Sequence, residues 1–397
     1  MDFTITKNDF YEALHKVIGV IPQKTTISIL SCLSMSLEDE LLSLTGTDLE
    51  ISVTATVPVK SSTSGAVAVP ARLLSEIVRE LPDVPLHIRS DNSTKIIIST
   101  DKGEYKISTQ PIEDFPKISV EEGQFSFVLD GKLFKRIIDK TSFAVSTDEL
   151  RPALTGINME INATDLRFVA TDGHRLVRMV YNNFSAPEEN QKNLIIPTKA
   201  LMLLLRNLSD EDKVSIKTGE DHIVFNLNSA TVYSKLINGS YPNYERVIPS
   251  GNDKKLHINR EQLVAALRRV SIFSSSLTHQ IRLIMSPNEI SIQSEDIEFG
   301  AEAKESIPAS FNADWLQIGY NSSYLLDVIR HLDNEEIVFV LKDSVSAAII
   351  SPSVQQKDEE LLMLLMPIRI NEDTVEGEDL SSEEVNQSPE SEEVEVE

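Results

Sequence analysis

The sequence predicts an α+β fold: three tandem copies of a unit with two helices and an antiparallel sheet, then an acidic tail. Two recurring amphipathic segments and one recurring acidic turn carry that prediction. The turn reads Thr47-Asp48, then Thr171-Asp172, then Glu295-Asp296, so that Asp48, Asp172 and Asp296 stand 124 residues apart each time. Self-similarity at a fixed period is the mark of repeated structural units.

The first helix of each unit is expected over 7–18, 131–141 and 260–270. Its apolar stripe is Phe10, Leu14 and Val17, then Leu133 and Ile137, then Leu263, Leu267 and Val270. The second helix is expected over 71–81, 198–208 and 322–332. Aligned without gaps, Leu74/Leu201/Leu325, Ile77/Leu204/Val328 and Leu81/Leu208/Leu332 recur at i, i+3 and i+7, one buried face of an amphipathic helix. Arg79, Arg206 and Arg330 share one position outside that face. Between the helices the pattern changes to period two with polar turns, as in 51–57, 95–107 across Asp101-Lys102-Gly103, and 222–237, which predicts antiparallel strands. Polar, turn-rich breaks near 120–123 and 249–253 divide the chain into 1–121, 122–252 and 253–370, with 371–397 as the tail.

The charge balance at first excludes nucleic acid. Lys+Arg is 37 against Asp+Glu 62, a net −25 over 397 residues, and affinity for phosphate comes from clustered Lys and Arg. The 27 residues from Asn371 to Glu397 hold 12 of the acids and no base, which leaves −13 in 1–370. With almost nothing to bury, that tail is expected to be disordered. The lone Cys32 rules out an intrachain disulfide and fits a reducing cytosol. The start has no basic segment followed by an apolar one, and no apolar run approaches the about 18 residues that span a membrane, so a cytoplasmic location without membrane contact is expected. Neither GxGxxG nor GxxxxGK[ST] occurs, and the seven His show no HxxxH or HExxH spacing, so no cofactor or metal is expected.

The motifs LSLTGTDLE, VPAR, DFP, ATDGHRL, IIP, SKLINGSYPNY and LMPIRI, in this order and spacing, closely resemble the bacterial DNA polymerase III beta subunit family, the sliding clamps. The resemblance covers 1–370. It implies three clamp domains per chain and two chains closing head to tail into a six-domain ring around duplex DNA, with the helices lining the pore. Twelve helices about 10 Å thick, set side by side, enclose a hole of about 28 Å. That admits a duplex without tight contact.

The charge objection then dissolves on inspection of where the charges lie. The six helical segments carry 14 bases and seven acids, a net +7, which leaves −20 for the rest of 1–370. A basic pore with an acidic exterior is what such a ring requires. The expected DNA-facing set in the helices is Arg72, Arg79, Lys132, Lys135, Arg136, Lys140, Lys199, Arg206, Arg268, Arg269 and Arg330. The resemblance adds Lys24 and Arg151 in loops at the ring face. No aromatic platform interleaves these cations, so phosphate contact without base readout is expected.

The resemblance also implies a peptide groove between the second and third domains. Its residues here would be Leu154, Thr171, Gly173, His174, Arg175, Leu176, Pro242, Arg246 and Val247, then Asn321, Tyr324 and Val345, and finally Leu364, Leu365, Met366, Pro367, Ile368, Arg369 and Ile370. Aliphatic and Met side chains make an adaptable apolar pocket, and polar groups at its rim orient an extended peptide. The partners implied are the polymerase III alpha subunit, the clamp loader, other DNA polymerases and mismatch-repair proteins, all through short peptide motifs. At the homodimer seam, Tyr105 is expected to face Ile272 and Phe273 of the other copy, with Lys95 and Lys102 opposing Glu298 and Glu302. The tail lacks the Gln-then-Leu/Phe pattern of groove ligands and is expected to leave the groove open.

Two other classes of function remain at this point. An enzyme using Asp172 and His174 lacks a nucleophile or metal as third partner, and Asp172 has counterparts at Asp48 and Asp296, which favours a turn role. A monomeric three-repeat scaffold would bind proteins and have no DNA role.

Overall fold

The computed structural model describes residues 1–91, 94–117 and 125–370. The expected break at 121/122 and the tail 371–397 lie outside the described residues. The break at 252/253 falls in the coil that precedes Lys254.

The first domain runs β1 (Asp2–Thr6), α1 (Lys7–Ile18), β2 (Cys32–Glu38), β3 (Leu41–Thr47), β4 (Ile51–Pro58), β5 (Lys60–Thr63), β6 (Gly65–Pro70), α2 (Ala71–Glu80), β7 (Pro85–Asp91), β8 (Lys95–Ser99) and β9 (Glu104–Ser108). The second runs β10 (Phe125–Asp130), α3 (Gly131–Ser142), β11 (Gly156–Ile161), β12 (Leu166–Thr171), β13 (Arg175–Tyr181), β14 (Lys192–Pro197), α4 (Thr198–Asn207), β15 (Lys213–Thr218), β16 (His222–Asn226) and β17 (Ala230–Lys235). The third runs β18 (Lys254–Asn259), α5 (Arg260–Val270), β19 (Gln280–Ser286), β20 (Glu289–Asp296), β21 (Ala301–Phe311), β22 (Leu316–Asn321), α6 (Ser322–Arg330), β23 (Glu336–Leu341), β24 (Ala348–Pro352) and β25 (Glu359–Leu365). No helix among the described residues is long and apolar enough to cross a membrane.

The six helices fall where the periodicity predicts. Phe10, Leu14 and Val17 of α1, Ile137 of α3 and Leu263, Leu267 and Val270 of α5 are buried, as are Leu74, Leu201, Leu204, Leu325 and Val328 of the second helices. Each first helix begins after a polar residue, Thr6, Asp130 or Asn259, and two of these cap it: Thr6 accepts from Asp9 N–H and Asn259 from Gln262 N–H. Such caps satisfy backbone donors that the first turn leaves open. The two helices of each domain pack together as α1 with α2, α3 with α4 and α5 with α6.

The sheets do not stop at the domain borders. β4 of the first domain pairs with β17 of the second inside an eight-stranded sheet, and β13 of the second pairs with β25 of the third inside a twelve-stranded one. Both junctions have one register. Ser52 stands opposite Tyr233 and Leu176 opposite Leu364. Ser52 and Leu176 are equivalent, because they face Thr47 and Thr171 across their hairpins; in the third domain Glu302 faces Glu295 in the same way. Tyr233 and Leu364 are equivalent too. From the residue four before each first helix's N-cap, the ladders run Ser126–Lys217–Val224–Tyr233 and Lys255–Val340–Ile349–Leu364. The same count in the first domain runs Asp2–Arg89–Ile97–Lys106. β9, which holds Lys106, is an outer strand, and Ala301–Pro308 of β21 pairs on one side only among the described residues.

The helix layer is continuous across the same borders. Asn207 at the end of α4 donates to the Lys16 carbonyl in α1 at 3.3 Å, and Phe143 after α3 stacks on His331 after α6 at 4.0 Å. After α1, Val20 and Ile21 are buried beside Gly46 of β3.

Candidate functional site

Two surfaces hold most of the DNA-facing and groove residues singled out from the sequence: the helix layer and the sheet junction between the second and third domains. On the helix layer Arg72, Lys132, Arg206, Arg268 and Arg330, and in the loop after α1 Lys24, are exposed and make no ion pair among the described residues. Arg268 and Arg330 line one shallow depression together with Arg260. Others are exposed but partly neutralised: Arg79 by Glu80 at 3.0 Å, Arg151 by Asp148 at 2.8 Å, Arg269 by Glu305 at 3.0 Å and Lys199 by Asp48. Lys135, half-buried, pairs with Asp210 at 2.7 Å.

Arg136 and Lys140 depart from expectation. Lys140 is buried, with its ammonium 2.6 Å from Asp333, and Arg136 bonds both Asp333 and Glu359, the latter at 2.7 Å. Both carboxylates belong to the third domain, so these two cations fasten domains instead of presenting charge to solvent. Burial pushes the Asp333 carboxyl up, but hydrogen bonds from Lys140 and Arg136 outweigh it and hold the group below the usual carboxylate range. Helical periodicity explains the error, since Lys140 lies beside the buried Ile137 and Thr141 and not opposite them.

At the sheet junction the ATDGHRL segment forms the hairpin between β12 and β13. The Asp172 carboxylate accepts from His174 N–H at 2.9 Å and Arg175 N–H at 3.0 Å. Asp48 caps its turn likewise through Glu50 and Ile51, and Asp296 through Glu298. Asp172 is therefore a turn cap. Gly173 has φ +92, the left-handed region that glycine enters without strain, whereas Leu49 holds φ 80 in the first domain's turn.

Arg175 is buried, which corrects its expected place on the groove rim. Its guanidinium bonds Asp172 at 3.1 Å, Asp327 of α6 at 2.7 Å and the Phe143 carbonyl at 2.8 Å, and lies 4.8 Å from the Tyr324 ring centroid. It ties the turn to α6. The exposed His174 ring stacks on Tyr324 at 5.5 Å, and the His174 carbonyl accepts from Met366 N–H at 2.9 Å. The turn is thus joined to the last strand of the third domain.

Around this joint the outer sheet face carries an apolar cluster separate from the main core. Val169, Leu176, Ala347 and Leu364 pack with Tyr244, flanked by Tyr241, Ile248 and Leu362. Pro242, Arg246, Val247, Val345 and Met366 remain exposed, and Leu154 and Thr171 are buried. Leu365 faces the main core, one step out of phase with Leu364, so it does not line the groove. Asn321 caps α6 by accepting from Ser323 and Tyr324 N–H. Pro367, Ile368, Arg369 and Ile370 run back beside β22. Ile368 N–H donates to the Gly319 carbonyl, and a Cβ at Gly319 would meet Ile370 at 2.8 Å.

Sequence reasoning missed the aromatic floor, Tyr241 and Tyr244. The Tyr-Pro-Asn-Tyr spacing was the available signal. The Tyr244 hydroxyl donates to Glu160 at 3.0 Å, and burial and that carboxylate push the phenol up to about 12.

The residues expected at a subunit seam are spread over two edges of the chain. Tyr105 is exposed on β9. Lys95 lies on β8 and Lys102 in the β8–β9 turn. Ile272 is 77% exposed and Phe273 38% in the turn after α5; at the same positions after α1 stand the half-buried Gly19 and the buried Val20. Glu298 and Glu302 flank the start of β21, both exposed.

Residues 1–119, 128–243 and 245–369 match the N-terminal, central and C-terminal domains of the DNA polymerase III beta subunit family. The beta sliding clamp of Pseudomonas aeruginosa is 35% identical over 373 residues, covering 93% of this chain and all of that one. The beta sliding clamp of Chlamydia muridarum is 29% identical over 374 residues, covering 94% and 100%. Among solved structures, the DNA polymerase III subunit beta of Pseudomonas aeruginosa superposes with a TM-score of 0.88 at 35% identity, over 93% of this chain and 100% of that one. The sliding clamp of Bacillus subtilis gives 0.88 at 28%, over 94% and 100%.

Proposed function

We propose, from the premise that this chain belongs to the DNA polymerase III beta subunit family, that two copies close head to tail into a ring with the helices toward the hole. The protein is a DNA sliding clamp of replication, a processivity factor and not an enzyme, and its partners in general are DNA and a polymerase.

One observation carries the ring. Two junctions inside the chain share one strand register, and the edges that would form a third are left open at its two ends. Continued into a second copy, that register sets Lys106 opposite Glu302 and Glu104 opposite Lys304, both pairs of opposite sign. Tyr105 then falls opposite Ala303, in the place that buried Val232 and Met363 hold at the internal junctions. Lys106, and not Lys95 or Lys102, becomes the partner of Glu302. A slip of two residues keeps the facing sides but sets Lys106 against Lys304 or Glu104 against Glu302. The charges therefore specify the register.

The unpaired cations of the helix layer would meet phosphates loosely and without base readout, while the acidic exterior repels DNA from the outside. The groove at the second internal junction offers exposed Val247, Val345 and Met366 beside backbone and ring edges of Gly173 and His174. It suits short peptides of the polymerase III alpha subunit, the clamp loader, other polymerases and mismatch-repair proteins, which would compete for it.

The test is topological. The protein is loaded by its clamp loader onto nicked circular DNA, which is then linearised. A ring slides off the ends, and equal retention on circle and linear form would falsify the closure.

A further inference from the structure

The hairpin between β20 and β21 differs from its two counterparts. Four residues lie between the facing pair Thr47 and Ser52, and four between Thr171 and Leu176, but six lie between Glu295 and Glu302. The longer turn carries Ile297 and Phe299, which are 78% and 80% exposed. Two large apolar side chains held out in water by a well-formed turn call for a cover.

The internal junctions say where this turn reaches. Asp48 in the first turn pairs with Lys199, the second residue of α4, and His174 in the second turn stacks on Tyr324, the third residue of α6. Each turn closes on the first turn of the second helix of the domain that follows. The corresponding residues of α2 are Arg72 and Leu73, and Leu73 is 47% exposed, outside the stripe that α2 buries.

We infer that the enlarged turn is an apolar latch between copies, in which Ile297 and Phe299 of one chain close over Leu73 of the other. The inference rests on the head-to-tail closure proposed above. It assigns the subunit seam a contact that neither internal junction has. At the second junction the two-residue-shorter turn borders the groove for foreign peptides; at the seam the longer turn brings its apolar pair to the other copy.

Two double variants of the full chain separate the latch from the closure, with the buried Cys32 left in place. Lys106→Cys with Glu302→Cys reports the strand register, since directly opposed residues lie within disulfide reach. Leu73→Cys with Phe299→Cys, treated with a short bismaleimide, reports the latch. Both are expected to give covalent dimers on a denaturing gel. Cross-linking at 106/302 without cross-linking at 73/299 overturns the latch and leaves the ring standing. Failure of both overturns the register and the latch together.

Affinity gives a second readout that does not depend on cysteine geometry. Ile297→Ser with Phe299→Ser weakens the dimer by about tenfold or more, the scale of one large apolar side chain withdrawn from an interface. Leu73→Ser then adds little further. Full additivity of Leu73→Ser with that pair counts against a shared contact.

Discussion

Reversing one charge at the proposed seam gives the sharpest test of how the ring closes. In the isolated chain Lys106 sits 2.8 Å from Glu104 on its own strand, and both are about half exposed. Closure brings Glu302 of the other copy directly across from Lys106. Opposed charges of unlike sign on facing strands contribute about 0.2–1 kcal/mol, and like charges cost a similar amount. Lys106→Glu converts one into the other, a change of about 0.4–2 kcal/mol per seam. A head-to-tail dimer has two seams, so the sum is about 1–4 kcal/mol, or from about fivefold to nearly a thousandfold in dimer Kd. Sedimentation equilibrium at about 0.1 M salt measures it. Adding Glu302→Lys restores the unlike pair and most of the affinity. In about 1 M salt, where charges are screened beyond about 3 Å, the single variant and the parent converge. Equal weakening in the single and the double variant would refute the register, because the second change repairs only a contact that exists.

Asp333→Asn leaves Lys140 buried with only Asp139 beside it and is expected to lower stability by about 1–3 kcal/mol in urea unfolding, reduced from the full cost of a broken buried pair because Asp333 is itself partly exposed. The Asp333 carboxyl is held below its ordinary value, so its contribution is present above that value and disappears as pH falls through the lowered one; the parent should lose stability below about pH 4 more steeply than Asp333→Asn does. Gly173→Ala forces a side chain to φ +92 and should cost about 1 kcal/mol or more, with weaker binding of partner peptides in fluorescence anisotropy and unchanged dimerisation. Replacing Arg206, Arg268 and Arg330 together with Ala should lower the slope of log affinity against log salt for duplex DNA by up to about 0.9 for each phosphate that these side chains neutralise, with the dimer intact.

The sequence made the helices legible because their faces are set by local spacing. The stripe through Leu74, Leu201 and Leu325 is buried in all three copies. What it concealed was non-local. Nothing in the alternation of 51–58 or 230–235 says that these strands pair with each other across a domain border, because period two fixes a face and leaves the neighbour open. The anchor at Asp296 also hid the lengthened turn, since the two added residues follow it. In the site, Gly173, His174 and Met366 were placed through motif resemblance, but Arg175 and Lys140 were misplaced for one reason. A cation's sign is written in the sequence, whereas the carboxylate that captures it, Asp327 or Asp333, arrives from more than a hundred residues away.

Sheets that run through the domain borders give the molecule the mechanics of a hoop. A strand pair pulled along its hydrogen bonds yields one rung at a time, so resistance grows with the number of rungs and with any bolts beside them. The border between the second and third domains has seven facing pairs and the Arg136–Lys140–Asp333–Glu359 bolt, and the border between the first and second has five. In the proposed ring the clasp between copies would rest on the five residues of β9, Glu104 to Ser108, as many as the first border has facing pairs. A machine that prises the proposed hoop apart therefore meets most resistance at the border between the second and third domains, and the hoop can part at the clasp, the one kind of joint that no covalent chain crosses.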